Sequence, residues 1–392
     1  MKILCINAGS STVKFQLFEM PNEEVLVSAN FEKIGELNSF YSIKLNGEKI
    51  KKQIDLENHE KAIKIFLEEL LSLNIINSLD EIEGVGHRVV QGGSKYSKSV
   101  IVDEYVIKDI EEYIPLAPLH NPANLMGINE SRKLLPNASD IAVFDTAFHQ
   151  TMGEDQYIYP VPYEWYQNYK VRRYGFHGTS HKYLYNTMTE VLNNKDAKVI
   201  TCHLGSGSSI TAINAGKVIA TSMGFTPLGG ITMGTRCGDI DPSIISYIMK
   251  TTGKTIDEVT SDLNKKSGLL GMSGISGDSR EIEEGIANGN ERCRLAQDIF
   301  VNRIVAFIAH YYTLLNKPDA LVFSAGIGEK STMVREEVIN KLSSLKIYLD
   351  KDSNNTRDKI QKISNEQSEV LCYVVPTNEE LMIVRETYEL IS

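Results

Sequence analysis

The stretch HLGSGSS, His203 to Ser209, sets glycines and hydroxyls at the tip of an apolar run, a combination that suits phosphate oxygens. Glycine carries no Cβ and tolerates a positive φ, so the backbone can come close to a bound group, while backbone N–H groups and Ser hydroxyls supply donors. Taken alone, such a turn reads first as a ligand-free β-hairpin. A second copy changes the reading. Residues 3 to 17, ILCINAGSSTVKFQL, repeat the layout: an apolar strand, a polar residue at its end (Asn7), then Gly9-Ser10-Ser11, then an alternating strand. Asn7 and His203 stand half of the 392 residues apart, and two similar units at that spacing predict a duplicated fold with a nucleotide or phosphate compound held between related halves.

Other tips carry charge or imidazole. GHRVVQGG places Arg88 in an apolar strand, either as an edge residue reaching solvent or as a buried guanidinium that needs an anion, for which phosphate matches the planar fork. PLAPLHNPAN is too proline-rich for a helix interior, so His120 sits on a shaped loop. DIAVFDTAFH reads as a strand delivering Asp145 at its carboxyl end, where α/β sheets place functional groups. His177, in RRYGFHGTSH, precedes a helix start expected at Thr179 or Ser180, and alone it reads as structural. MGTRCGDIDP gathers Arg236, Asp239 and Asp241 among glycines, with Pro242 opening a helix from 243 onward. A second glycine-rich loop enters a helix at Asp278 or Ser279, and ALVFSAGIGEKS is strand, glycine turn and helix start. PTNEE puts Glu379 and Glu380 in the first turn of a closing helix, where acidic residues favour the dipole.

The elements that must position these tips read as follows. Asn46-Gly47 between alternating runs predicts a two-residue hairpin. Residues 57 to 77 have apolar side chains at helical spacing, residues 292 to 315 read as a long, largely buried helix, and 350 to 369 as a surface segment. A chain of 392 residues, 42% hydrophobic and 23% charged, is long enough for two well-buried domains of an ordinary globular protein. The net charge of −10 argues against a nucleic-acid or anionic-membrane partner. The first apolar run stops at Asn7 and no stretch approaches a membrane span, so neither a signal peptide nor a membrane partner is expected. Five scattered cysteines with no CxxC pair indicate neither a disulfide framework nor a zinc site, and point to thiols in a reducing cytoplasm.

Gly253-Lys254-Thr255 is no P-loop, because position 248 is Ile, and neither GxGxxG nor GxSxG occurs. What remains is a phosphate-handling enzyme. The strings NAGSSTVKF, GHRVVQGG, PLAPLHNP, FDTAFH, RRYGFHGTSH, HLGSGSS, MGTRCGDIDP, AGIGE and PTNEE run through the whole chain in an order and spacing that resemble the acetate kinases.

That resemblance implies the acetate and sugar kinase/Hsp70/actin fold: duplicated RNase H-like α/β domains, each a mixed five-stranded sheet flanked by helices, with the active site in an interdomain cleft. The domains would span 1–148 plus 380–392, and 149–379. The implied reaction is ATP plus acetate giving ADP plus acetyl phosphate, with Mg²⁺ or Mn²⁺, in a homodimer. By resemblance, Arg88 and Arg236 clamp acetate and the transferring phosphoryl group, and His177 donates to its equatorial oxygens. Asp145 holds the arginines or the metal shell, and His120 stabilises the site. Asn7 and Glu379 position the metal and its waters. Lys14, His203, Leu204, Gly205, Ser206 and Gly207 follow the phosphate chain, while Asp278, Ser279, Arg280, Gly326, Ile327 and Gly328 frame the adenosine. Val90, Leu119, Phe176 and Pro227 form a small pocket for the substrate methyl.

Two positions depart from the family pattern. Ser206 stands where Asn is common, which keeps a donor but shortens its reach, and Ser279 stands where a large side chain is expected against adenine. Three other readings compete: a propionate or butyrate kinase with a larger pocket, a pyrophosphate-dependent enzyme whose adenosine pocket is blocked, and a non-catalytic ATPase switch of the Hsp70 or actin type. Gly326-Ile327 argues against the second, and the third leaves Arg88 and Arg236 without a purpose.

Overall fold

Apolar and polar residues alternate along KILCINA and TVKFQLFE, and the two runs pair antiparallel as β1 (Lys2–Ala8) and β2 (Thr12–Glu19). In the computed structural model, which describes residues 1 to 392 except 10 and 119, the first sheet continues with β3 (Glu24–Glu32), β4 (Phe40–Leu45), β5 (Glu48–Gln53), β6 (Ile82–Val89), β7 (Val100–Ile101) and β8 (Ser139–Phe144). The second comprises β9 (Lys198–Leu204), β10 (Ser208–Asn214), β11 (Lys217–Thr221), β12 (Ala320–Ser324), β13 (Gln361–Lys362) and β14 (Leu371–Val374).

Strand order is β5-β4-β3-β2-β1-β6-β8-β7 in the first sheet and β11-β10-β9-β12-β14-β13 in the second. A run of five strands repeats: β3-β2-β1-β6-β8 and β11-β10-β9-β12-β14 each pass through two antiparallel and then two parallel pairings. Asn7 and His203 occupy matching places near the ends of the central strands β1 and β9. The duplication is therefore topological as well as sequential. The expected five-stranded unit is present in both sheets, extended to eight and six strands by β4, β5 and β7 at the edges of the first and by β13 at an edge of the second. β5, EKIKKQ, is exposed along its whole length, and its lysines discourage further edge pairing. Asn46 and Gly47 join it to β4 with φ values of 50° and 85°, as a two-residue turn between twisted strands requires.

The chain divides into one unit of Met1–Gln150 with Asn378–Ser392 and another of Thr151–Thr377. The second boundary falls ahead of Glu379 because Asn378 caps the closing helix, Glu379–Ile391, accepting from Leu381 N at 3.0 Å. In the first unit Phe15 stacks on Phe66 at 4.5 Å, fixing the helix His59–Ser72 to the sheet. That helix is shorter than the expected 57 to 77 because Asn74 turns left-handed (φ 54°). The closing helix packs on β1 and β6 where Gly84 and Gly86 leave no Cβ to collide with Ile383, Thr387 and Ile391.

In the second unit the helix Glu291–Leu314 buries one face, Cys293, Ala296, Phe300, Val301, Ile304, Ile308 and Tyr311, and leaves the other half-exposed. The expectation of a largely buried helix is corrected accordingly; the 3.6-residue spacing of the buried positions is that of an amphipathic helix. Among the described residues all five cysteines are free, and Cys5, Cys202, Cys293 and Cys372 are buried. No helix of the described residues is long and apolar enough to cross a membrane.

Candidate active site

Three neighbouring strands of the first unit, β1, β6 and β8, run parallel and bring Asn7, Arg88 and Asp145 to the same carboxyl edge. Arg88 Nε donates to both Asp145 oxygens at 3.0 and 3.1 Å, its Nη2 donates to Oδ2 at 2.6 Å, and its Nη1 reaches Asn7 Oδ1 at 3.3 Å. Of the two roles expected for Asp145, holding an arginine is the one its hydrogen bonds serve. Burial works against the Arg88 charge, but Asp145, with Glu379 and Glu380 behind it, outweighs that and keeps the guanidinium firmly protonated. Lys14 lies opposite Asn7 on β2, exposed.

Glu379 starts the closing helix beside this edge. Its Oε1 is buried with no hydrogen-bond partner among the described residues. Burial pushes its carboxyl up to about 7, with Asp145 and Glu380 adding to the effect and Arg88 and Lys14 opposing it. A buried carboxylate oxygen without a partner, on the helix that packs beside the strand carrying Asn7, is a hard donor of the kind that fits a cation. Among the described residues no three His, Cys, Asp or Glu side chains gather into a chelating group, so a metal here would keep waters and lean on substrate phosphates, as Mg²⁺ does.

A pH dependence follows for the metal-free protein. Because the folded carboxyl sits near 7 and its ordinary value is 4.5, the native state binds the extra proton between those limits. The stability tied to Glu379 is full below about 4.5 and is lost as pH rises through about 7. Glu379→Gln should abolish that part of the pH dependence of the unfolding midpoint; parallel curves for wild type and variant would show that Glu379 is not raised.

The loop after β6 is held by two residues that sequence reasoning passed over. Asn124 Oδ1 accepts from Val90 N at 3.1 Å while its Nδ2 donates to Ala8 O at 2.7 Å, and Asn121 exchanges bonds with the Gln91 backbone at 3.1 and 3.0 Å. They sit one helical turn apart at the start of the helix Asn121–Leu134, which His120 precedes. Two Asn at that spacing in HNPAN were the available signal. Val90 is buried beside Arg88's strand end, while the fourth methyl-pocket candidate, Leu119, lies outside the described residues.

In the second unit the end of β9 carries His203 and Leu204, and the β9–β10 turn carries Gly205, Ser206 and Gly207. Gly205 N donates to Gly207 O at 3.1 Å and to Ser208 Oγ at 3.2 Å. Neither Gly205 nor Gly207 has a positive φ, which corrects half of the glycine argument: space, not backbone freedom, is what the turn demands. A Cβ on Gly207 would lie 3.2 Å from Arg236 Nη2 and 3.4 Å from His177 Nε2. Left-handed backbone appears instead at His177 (φ 58°) and at Ala325 (φ 62°), non-glycine outliers of the kind that cluster at functional sites. His177 caps the helix Gly178–Val191, one residue earlier than the first of the expected starts. Its ring stacks on His203 at 4.2 Å, and its Nδ1 lies 2.9 Å from Ser209 Oγ.

Arg236 donates from Nη1 to Pro227 O at 2.8 Å and has no carboxylate partner among the described residues. Burial alone pulls its pKa down, and an arginine so placed still keeps its charge. Gly234 N donates to Ser206 O at 3.1 Å, and a Cβ on Gly234 would meet Gly277 O at 2.9 Å, so the 203–209, 234–236 and 277–280 segments meet at close backbone range. Asp278 caps the helix Ser279–Ala287 and pairs with Arg280, whose side chain is 84% exposed. Gly326 opens onto free space, whereas Ile327 belongs to the core of the second sheet. Only the backbone of Ile327, not its side chain, is left to frame a nucleotide. Phe176 is buried next to His177, with Pro227 near Arg236; these two methyl-pocket candidates belong to the second unit and Val90 to the first.

Gly207→Ala tests the tightness of this turn. The added methyl makes Arg236 or His177 give by a few tenths of an ångström, less than the ~1 Å misplacement that costs about 10²-fold, so kcat should fall by about tenfold or less. Wild-type turnover in the variant would mean that both side chains can withdraw freely.

Residues 2–385 match the model of the Acetokinase family. The chain belongs to the acetokinase family. It is 51% identical over 391 residues to the acetate kinase of Bacillus subtilis (strain 168), covering 99% of both chains. Among solved structures of family proteins it resembles the acetate kinase of Porphyromonas gingivalis, with a TM-score of 0.95 at 43% identity over 100% of both chains. It also resembles a propionate kinase from Francisella tularensis subsp. tularensis SCHU S4, with a TM-score of 0.94 at 42% identity over 99% of both chains.

Proposed function

We propose that this acetokinase-family protein is an acetate kinase, an ATP:acetate phosphotransferase that works reversibly and by direct in-line transfer. The observation that carries the reading is Arg236: a guanidinium held by a backbone carbonyl, lacking any carboxylate partner among the described residues, beside a turn whose Gly207 carries no Cβ to crowd it. An acetate oxygen forms its bond to the γ-phosphorus as the bond to the β,γ-bridging oxygen breaks, and ADP leaves. Little covalent help is needed; positioning and charge neutralisation lower the barrier.

Arg88, immobilised by Asp145, fixes the acetate carboxylate. Arg236 and His177 stabilise charge on the γ-phosphoryl oxygens, and backbone N–H groups of 205–207 take the phosphate chain. Asp278, Ser279, Arg280, Gly326, Gly328 and the Ile327 backbone frame the adenosine. Asn7 and Glu379 would hold Mg²⁺, which supplies charge neutralisation to the phosphates when bound. The acidic, all-thiol composition supports a cytoplasmic setting. A homodimer is supported by the helix Ser243–Thr252, SIISYIMKTT, which has no buried residue and leaves Tyr247 67% exposed.

Trapping acetyl phosphate as its hydroxamate, with ATP, acetate and Mg²⁺ supplied, tests the assignment. ATP hydrolysis without hydroxamate would favour the ATPase switch instead. The similarity to a propionate kinase keeps chain length open, and a variant at Val90 tests it. In a rigid pocket each misfitting methylene costs about 1–3 kcal/mol, or roughly 10–200-fold in kcat/KM. Acetate should therefore exceed propionate modestly and butyrate strongly, and Val90→Ala should raise the relative values for the longer acids. Unchanged ratios would remove Val90 from the pocket wall.

A further inference from the structure

We propose that Ser209 and His181 are positioning residues that fix the proton on the His177 ring, so that His177 serves the phosphoryl group only as an imidazolium. The proposal rests on the reading of His177 as a group facing that phosphoryl, and deepens it.

A buried relay links three strand or helix positions. His177 Nδ1 lies 2.9 Å from Ser209 Oγ on β10, and the same oxygen lies 2.7 Å from His181 Nε2, one turn along the helix Gly178–Val191. His181 Nδ1 is 2.7 Å from Thr201 Oγ1 on β9. Ser209, His181 and Thr201 are completely buried, so no bulk water interrupts the chain.

The far end sets its polarity. Thr201 Oγ1 donates to Thr211 O at 3.5 Å, across the β9–β10 pair. In the proposed polarity the single Thr201 proton goes to the Thr211 carbonyl, so Thr201 accepts from His181 Nδ1–H. Neutral His181 then presents Nε2 as an acceptor and takes the Ser209 proton. The Ser209 oxygen in turn accepts from His177 Nδ1–H. The neutral His177 ring therefore carries no proton on Nε2, the nitrogen 3.4 Å from the Cβ position of Gly207 and on the side of Arg236. A lone pair there repels an oxyanion; a second proton converts it into a donor.

The groups facing His177 bear on when that proton arrives. His203 stacks on it from β9, His181 meets it through Ser209, and Arg236 approaches across Gly207. An incoming phosphate supplies the opposite charge that a protonated ring requires.

The test is ¹⁵N NMR of the histidine-labelled enzyme at alkaline pH, with the pH profile of kcat. Wild type should show the His177 proton on Nδ1, and kcat should fall about tenfold per pH unit beyond a single ionisation. In Ser209→Ala the ring is released to carry its proton on Nε2, and the alkaline fall should flatten because the neutral ring can then donate. Ser209→Thr keeps the hydroxyl and should restore both signatures. A wild-type ring protonated on Nε2 at high pH overturns the proposal, and that spectrum decides the matter even if Ser209→Ala does not fold. Failure of the underlying reading is a different result: His177→Gln with wild-type kcat, whatever the tautomer.

Discussion

Arg236→Ala should lower kcat by about 10²–10³-fold and leave ATP affinity close to wild type, because a charge aimed at the transferring group acts chiefly in the transition state. The structure explains why the effect is this large. Arg236 is anchored through Nη1 to the Pro227 carbonyl and has no acid partner among the described residues, so its charge is uncommitted until an anion arrives. Arg236→Lys should recover little, since a single ammonium cannot hold the carbonyl and a phosphoryl oxygen in one plane. Steady-state kinetics paired with equilibrium ATP binding makes the measurement; a tenfold loss of ATP affinity at normal turnover would move Arg236 from the transferring group to the nucleotide.

Asp145→Ala is the second large effect, and it appears in stability as well as activity. Asp145 is 1% exposed and takes three hydrogen bonds from Arg88, whose side chain is 23% exposed. Removing one partner of such a pair leaves a largely desolvated cation, at a cost of about 3 kcal/mol. Chemical denaturation should show that loss, and kcat/KM for acetate should fall by about 10² as the guanidinium loses its orientation. Replacing both residues with apolar ones of similar size should regain most of the stability and none of the activity. A stable Asp145→Ala enzyme with normal acetate kinetics would assign the orientation of Arg88 to Asn7 alone.

Much of the candidate site was legible because its residues stand at strand ends, where local pattern is strong. The repeated apolar run and glycine-serine turn located Asn7 and His203, and both occupy equivalent places in two sheets of like pairing. Asp145 was readable for the same reason, one residue beyond an apolar strand. What escaped depends on partners distant in sequence. Asn124 reaches Ala8 across 116 positions, and nothing within HNPAN announces that bond. Ser209 and His181 looked like part of a turn and part of a helix; their shared hydrogen bond exists only once β10 and that helix are packed. Ile327 shows the converse, a loop residue in the glycine motif whose side chain the core has claimed.

The helix that brings Glu379 also has a consequence for biosynthesis. Ile383, Thr387 and Ile391 cover Gly84 and Gly86 of β6, yet the entire second unit, Thr151–Thr377, separates them from that strand in the chain. At roughly 5–20 residues per second of synthesis, the ribosome would expose the uncovered face of the first sheet for roughly 10–50 s before its lid emerges. During that interval the intervening unit has all of its own strands and can fold, while the earlier one waits with apolar sheet open to other nascent chains. The order of completion is thus reversed relative to the order of synthesis, and it is in the first unit that misassembly and chaperone capture should concentrate.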